Sequence, residues 1–198
     1  MFNWDNVNEW ERSWWGSCQN TFGEEEKQLL YLNRMGFISF YNNKSSYNFN
    51  LNGETVLDIG GGPASFLLKC VNFKGTVVDP CNYPKWVVDR YKLADIEYIK
   101  QKGEDLDVSK QYDLVTIYNV LLHTEDPYKI IKNALHVSKI IKIFEWINTE
   151  PSDGHPQTFT ENQLDEWLGG IGKTEEFNGE NSWQGTGYFG IFKGERFE

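Results

Sequence analysis

The 198-residue sequence is short of basic residues, of cysteine and of long apolar runs. Its 19 lysines and arginines stand against 29 aspartates and glutamates, a formal charge of −10, and they do not cluster. A nucleic-acid groove must neutralise phosphates with such residues, so nucleic acid is not an expected partner. An anionic membrane surface is disfavoured for the same reason. The three cysteines, Cys18, Cys70 and Cys81, are odd in number and match no metal or redox spacing. Reduced thiols and no metal are therefore expected. No apolar run approaches the roughly 18 residues of a membrane span. Met1-Phe2-Asn3-Trp4-Asp5 lacks the basic and apolar regions of a signal peptide, so a soluble, cytoplasmic protein is expected.

Aromatic residues are plentiful. They make up 16% of the chain and offset a hydrophobic content of only 39% and a mean hydropathy of −0.57. The length suits one α/β domain with its own core. Four of the eight tryptophans, Trp4, Trp10, Trp14 and Trp15, fall in residues 1–52. That segment contains an expected helix, Gly23–Gly36, with acids in its first turn and a base in its last. It ends in an Asn/Ser/Tyr-rich stretch, 41–52, that predicts a connecting loop. Residues 1–52 are accordingly expected to form a helical cap and linker, and 53–198 the core.

From residue 53 strand-like and helix-like segments alternate. Strands are expected at 55–59, 75–79, 95–99, 113–118 and 139–146, and helices at 64–71, 84–91, 127–136 and 160–169. Two β-like stretches follow, at 173–177 and 187–193. Such alternation predicts a parallel sheet with helices on both faces.

The most telling stretch is Thr55-Val56-Leu57-Asp58-Ile59-Gly60-Gly61-Gly62-Pro63-Ala64-Ser65. A buried strand runs into a glycine turn where backbone can approach a ligand closely. A second strand ends in Asp79, about 20 residues on, the usual spacing of a ribose-binding acid. A dinucleotide fingerprint wants glycine or alanine where Ser65 stands, and an acid at Asp58 would repel a pyrophosphate. Asp58 would instead hold an ammonium, directly or through water. S-adenosylmethionine, with an ammonium, a ribose diol and no phosphate, suits this charge pattern better than NAD.

Val56-Leu57-Asp58-Ile59-Gly60-Gly61-Gly62 resembles the first motif of class I S-adenosylmethionine-dependent methyltransferases. The likeness continues through Val78-Asp79-Pro80, Gly103-Glu104-Asp105-Leu106 and the block from Tyr112 to Pro127. That block is similar to the "FDxVxxxxVLHHxxDP" pattern of the small-molecule branch. The resemblance implies a Rossmann-like three-layer sandwich. Its seven-stranded sheet would be mostly parallel, with an antiparallel last strand, and the helical cap would precede it. It also implies methyl transfer to a small-molecule or carbohydrate-like acceptor, or a methyltransferase-like subunit that binds the cofactor without catalysing.

Carried over residue by residue, Gly60, Gly61 and Gly62 would pass under the methionine part of the cofactor, and Asp79, followed by Pro80, would accept the ribose hydroxyls. The other reading of Asp79 is a helix N-cap with Pro80 in the first turn. Glu104 or Asp105 would contact the adenine; many relatives have an aspartate slightly earlier, where this chain has Gln101 and Lys102. Asn119 and His123 would lie at the end of the fourth strand, in the crevice where open α/β sheets bind ligands. His123 matches the second histidine of the "LHH" block, Leu122 replacing the first, and is a candidate general base. His155, in the loop 151–156, is another, and Glu145-Trp146 should lie at the same edge. Asp126 should cap the helix that Pro127 begins. Trp10-Glu11-Arg12-Ser13-Trp14-Trp15-Gly16 is either a lid over the site or core packing.

Overall fold

The computed structural model describes residues 3–19, 21–40, 48–179 and 183–195. Its centre is a sheet of seven strands: β2 (Thr55–Ile59), β4 (Lys74–Val78), β5 (Ile96–Ile99), β6 (Tyr112–Tyr118), β7 (Ser138–Ile147), β8 (Lys173–Asn178) and β9 (Gln184–Lys193). They lie in the order β5-β4-β2-β6-β7-β9-β8. All neighbouring pairs from β5 to β7 are parallel, and β9 inserts antiparallel between β7 and β8. This is the three-layer arrangement that the alternation predicts. A parallel sheet covered on both faces needs near-continuous apolar strands, and β2 and β7 are buried along almost their whole length.

The helices sit close to their expected places. The first, α1 (Trp4–Trp15), and α2 (Phe22–Arg34) precede the sheet; α3 is Lys85–Leu93, α4 Pro127–Val137 and α5 Glu161–Leu168. Asp126 caps α4, its side chain accepting from the Lys129 N–H, and Pro127 takes the first position. Thr160 caps α5, and Gly169, at φ +67°, ends it.

The expected helix at 64–71 does not form. Two 3₁₀ turns, Gly62–Ala64 and Phe66–Lys69, stand there, followed by the short strand β3 (Cys70–Val71). Ser65 separates the turns with an extended backbone, φ −49° and ψ 138°. Its hydroxyl takes the Leu67 N–H and donates to Asp58, so local side-chain bonds hold the segment out of a helix. The strand β3 pairs in parallel with β1 (Phe49–Asn50), which falls inside the expected loop 41–52. Residues 41–47 of that loop lie outside the described residues.

The cap helix α2 is anchored in the core. Tyr31 is buried against the sheet, stacked on Phe144 with centroids 4.3 Å apart, and Phe144 stacks on Phe189 at 4.9 Å. Trp146 and Phe177 meet Tyr31 edge-on. Each such pair adds roughly 0.5–1.5 kcal/mol beyond its buried area. By contrast α1 buries Val7 alone and lies over the carboxyl ends of the strands. No helix among the described residues is long and apolar enough to cross a membrane.

Candidate active site

A cavity of about 390 Å³ opens at the carboxyl ends of β2, β4 and β6. Strand order reverses beside β2, where such folds place ligands. The volume falls within the roughly 300–1,000 Å³ of small-molecule sites. Gly60, Gly61 and Gly62 form one wall, and Trp4, Trp10, Glu11, Trp14 and Trp15 of α1 roof it.

The three glycines are needed for different reasons. At Gly60, φ is +70° and a Cβ would lie 2.4 Å from Val120 Cγ2. A Cβ on Gly61 would lie 2.6 Å from Asp58 Oδ2 and 3.0 Å from Val77 Cγ1. Only at Gly62, with φ +60°, would a Cβ stand clear of the protein, 3.7 Å from Trp15 and 3.8 Å from the Tyr83 hydroxyl. Gly62 thus presents bare backbone to the cavity.

Asp58 lies behind this turn and does not line the cavity. It is buried, and its two oxygens accept the hydroxyls of Ser65 (2.6 Å) and Thr116 (2.7 Å). Burial pushes its pKa up to about 6 despite those bonds. Its side chain braces the glycine turn against β6. Asp105 is likewise not brought to the cavity; it faces solvent.

Asp79 is at the cavity wall, as is Pro80. Because α3 starts at Lys85, Asp79 does not cap it. Its Oδ1 accepts from the Cys81 N–H (2.9 Å) and its Oδ2 from the Gly62 N–H (3.0 Å), with Tyr83 bonding the same carboxyl. Burial raises its pKa to about 6, countered by these donors. Glu104 also lines the cavity, its Oε1 accepting from the backbone N–H groups of Glu125 and Asp126. Asn119 reaches it in a left-handed conformation, φ 53°, and its side-chain Oδ1 has no hydrogen-bond partner.

His123 and His155 both line the cavity, their rings 4.5 Å apart and each against Trp10. His123 Nδ1 lies 2.8 Å from the Gly154 carbonyl and 3.0 Å from Glu11 Oε1. Burial holds both imidazoles down to about 4, hence neutral near pH 7. Burial raises Glu11 to about 7, although Trp15 Nε1 donates to its Oε2 at 2.9 Å. The loop carrying Asn119 and His123 is held from β7. Fully buried Glu145 accepts the N–H groups of Val120, Leu121 and Trp146.

The cavity also recruits residues without a sequence signal of their own, including Tyr83, Trp183 and Thr149. Trp14 lies between Trp10 and Trp183, stacked at 5.6 Å on the first and 5.3 Å from the second. Four carboxyl groups, Glu11, Glu24, Asp79 and Glu104, face the space, and Lys102 is the one lysine or arginine among its described lining residues. Such a wall suits a cationic ligand and repels a pyrophosphate.

Residues 37–172 match the family model described as "Methyltransferase domain". The chain belongs to the methyltransferase-domain family. It is a class I methyltransferase by fold, and the cofactor of such enzymes is S-adenosylmethionine. No curated protein matches its sequence. Among solved structures, this methyltransferase resembles the 1,6-didemethyltoxoflavin-N1-methyltransferase of Burkholderia thailandensis, solved with 1,6-didemethyltoxoflavin and S-adenosylhomocysteine. The two are 13% identical with a TM-score of 0.61, over 96% of this chain and 84% of that one. The DhpI–SAH complex is similar at 15% identity and a TM-score of 0.62, over 98% of each chain. An O-methyltransferase family protein from B. thailandensis matches over 72% of this chain but 52% of its own length, at 14% identity and a TM-score of 0.52.

Proposed function

We propose that this methyltransferase acts on a small-molecule acceptor held between α1 and the carboxyl ends of β6 and β7. One observation carries the reading: a single cavity joins the glycine turn and Asp79 at one side to a tryptophan-walled space with His123 and His155 at the other. The cofactor fits the first half. Bare backbone at Gly62 gives it room. Asp79, at the cavity wall, would accept a ribose hydroxyl where the Tyr83 side chain now bonds its carboxyl. Asn119 Oδ1, without a partner among the described residues, would take the ammonium. Glu104 and its neighbouring backbone would border the adenine.

The cofactor supplies a sulfonium methyl group already activated for attack, so the protein's main work is alignment. Well-oriented intramolecular reactions gain roughly 7–11 kcal/mol in this way. The faces of Trp10, Trp14 and Trp183 present flat apolar walls to a planar ring or to the C–H face of a sugar. They also exclude water and favour positive charge near the transferring group. His123, neutral and facing the cavity, is the proposed general base.

Calorimetry should show S-adenosylhomocysteine binding and no NAD binding. Release of S-adenosylhomocysteine from S-adenosylmethionine should then be measured with phenols, N-heterocycles, amines and sugars as acceptors. Binding of NAD in preference to S-adenosylhomocysteine would overturn the cofactor assignment. Tight cofactor binding with no turnover across the panel would favour a binding subunit.

A further inference from the structure

We propose that Glu11, contributed by the cap helix α1, is a positioning residue for His123, so that the general base of this methyltransferase is complete only with α1 in place. The inference rests on the methyl-transfer reading and names one more participant in it.

The argument starts from one nitrogen with two neighbours. His123 Nδ1 lies 2.8 Å from the Gly154 carbonyl oxygen and 3.0 Å from Glu11 Oε1. A carbonyl oxygen can only accept, so Nδ1 carries the proton and donates it to Gly154, with Glu11 Oε1 3.0 Å away beside that bond. The lone pair is then on Nε2, which has no hydrogen-bond partner among the described residues. This is the tautomer a proton acceptor needs; the Gly154 carbonyl fixes it from behind, and the Glu11 carboxyl lies next to it. Glu11 is itself fixed, since Trp15 Nε1 holds its second oxygen one helical turn away. The pairing follows the logic of a hydrolase triad, in which the acid orients the imidazole and stabilises its charged form.

The charge balance is consistent. When the acceptor's oxygen or nitrogen bonds the methyl carbon, the carbon–sulfur bond breaks with its electron pair on sulfur, and the acceptor's proton moves to Nε2. His123 becomes an imidazolium in a buried place, where an unpaired charge is costly. Ionised Glu11 at 3.0 Å offsets it. The groups facing Glu11 are His123 and His155, Glu24 of α2, Asp79, Cys81 and Tyr83 beyond β4, and Lys102. Burial, with Glu24 adding to it, opposes its ionisation, so the carboxylate forms near neutrality and not at acid pH. The acceptor must accordingly be one that loses a proton on methylation, a hydroxyl or an N–H, and not a tertiary amine.

Two measurements test this. The first needs no turnover: nitrogen-15 correlation spectra of histidine-labelled, ligand-free protein should show His123 protonated on Nδ1. The change in the His123 nitrogen shifts near pH 7, caused by Glu11 ionising 3.0 Å away, should vanish in the Glu11→Gln variant. A His123 protonated on Nε2, or nitrogen shifts that respond to pH identically in wild type and variant, overturns the proposal whatever the enzyme methylates. The second is kinetic. Glu11→Gln should lower kcat about tenfold or more, and His123→Asn about 100-fold or more. In both variants S-adenosylhomocysteine affinity should stay within about threefold, which is under 1 kcal/mol. In wild type kcat/KM should rise with pH through about 7, the pKa of Glu11, and that limb should vanish in Glu11→Gln. The double variant should be no slower than His123→Asn alone. Multiplicative losses, or a Glu11→Gln effect confined to KM, would assign Glu11 to ligand binding instead.

Discussion

Alanine at each of the three glycines should separate ligand space from folding. Gly60→Ala places a methyl 2.4 Å from Val120 in a left-handed backbone, and Gly61→Ala places one 2.6 Å from the Asp58 carboxylate. Neither neighbour can retreat freely, because Val120 is tied to Glu145 and Asp58 to Ser65 and Thr116. Overpacking of this kind costs roughly 1–3 kcal/mol. At Gly60 the left-handed backbone adds about 1–2 kcal/mol. Gly62→Ala carries the backbone cost alone, because its Cβ meets no protein atom closer than 3.7 Å. For a chain of this size about 1–2 kcal/mol lowers Tm by roughly 2–8 °C. That methyl would occupy cofactor space instead, and about 1–3 kcal/mol of overpacking there weakens S-adenosylhomocysteine binding roughly 5- to 150-fold. Thermal melts and calorimetry on the three variants give both quantities. The expected order is a large Tm loss for Gly60→Ala and Gly61→Ala, and an affinity loss out of proportion to stability for Gly62→Ala. Wild-type affinity in Gly62→Ala would show that the cofactor does not pass over this turn.

Two further predictions concern the cap and the buried acids. Deleting residues 1–17 should leave a cooperatively melting protein with greatly reduced turnover, because α1 buries only Val7. Deleting residues 1–36 should cause aggregation, since it also removes Tyr31, Leu32 and Met35 from the core; equal behaviour of the two deletions would refute this. Ligand-free protein should melt lower at pH 8 than at pH 5.5. Burial raises Asp58 and Asp79 to about 6 and Glu11 and Glu145 to about 7, above their unfolded values near 4, so their stabilising share is full at low pH and lost as pH rises through 6–7. His123 and His155, held down to about 4, act oppositely between pH 6.5 and 4, but two imidazoles oppose four carboxyls. A Tm that climbs from pH 5.5 to 8 would contradict these shifts.

The strands were legible because a parallel sheet leaves a local mark. Val56 to Ile59 and Leu114 to Ile117 are apolar runs that only a doubly covered strand explains. That Gly60 to Gly62 and Asp79 lie at strand ends beside the cavity was legible from the motif spacing. The surroundings of Asp58 were not legible, because sequence shows a carboxylate but not the hydroxyls of Ser65 and Thr116 that engage it. The missing helix at 64–71 has the same source, a serine side chain competing for backbone. Glu11 carried no signal at all. Its contact with His123 joins segments far apart in the chain, and no local pattern encodes where α1 comes to rest.

Glu145 has a consequence for how such an enzyme can change its acceptor. The Val120 and Leu121 N–H groups on its carboxylate, together with the Asn119 N–H on the Phe144 carbonyl at 2.8 Å, set the course of residues 119–121 from the neighbouring strand. The path of that loop therefore owes little to its own side chains. Leu122, His123 and Thr124 face the cavity just beyond this anchored stretch, so the strand that supports the acceptor wall is not itself part of the wall's surface at these positions.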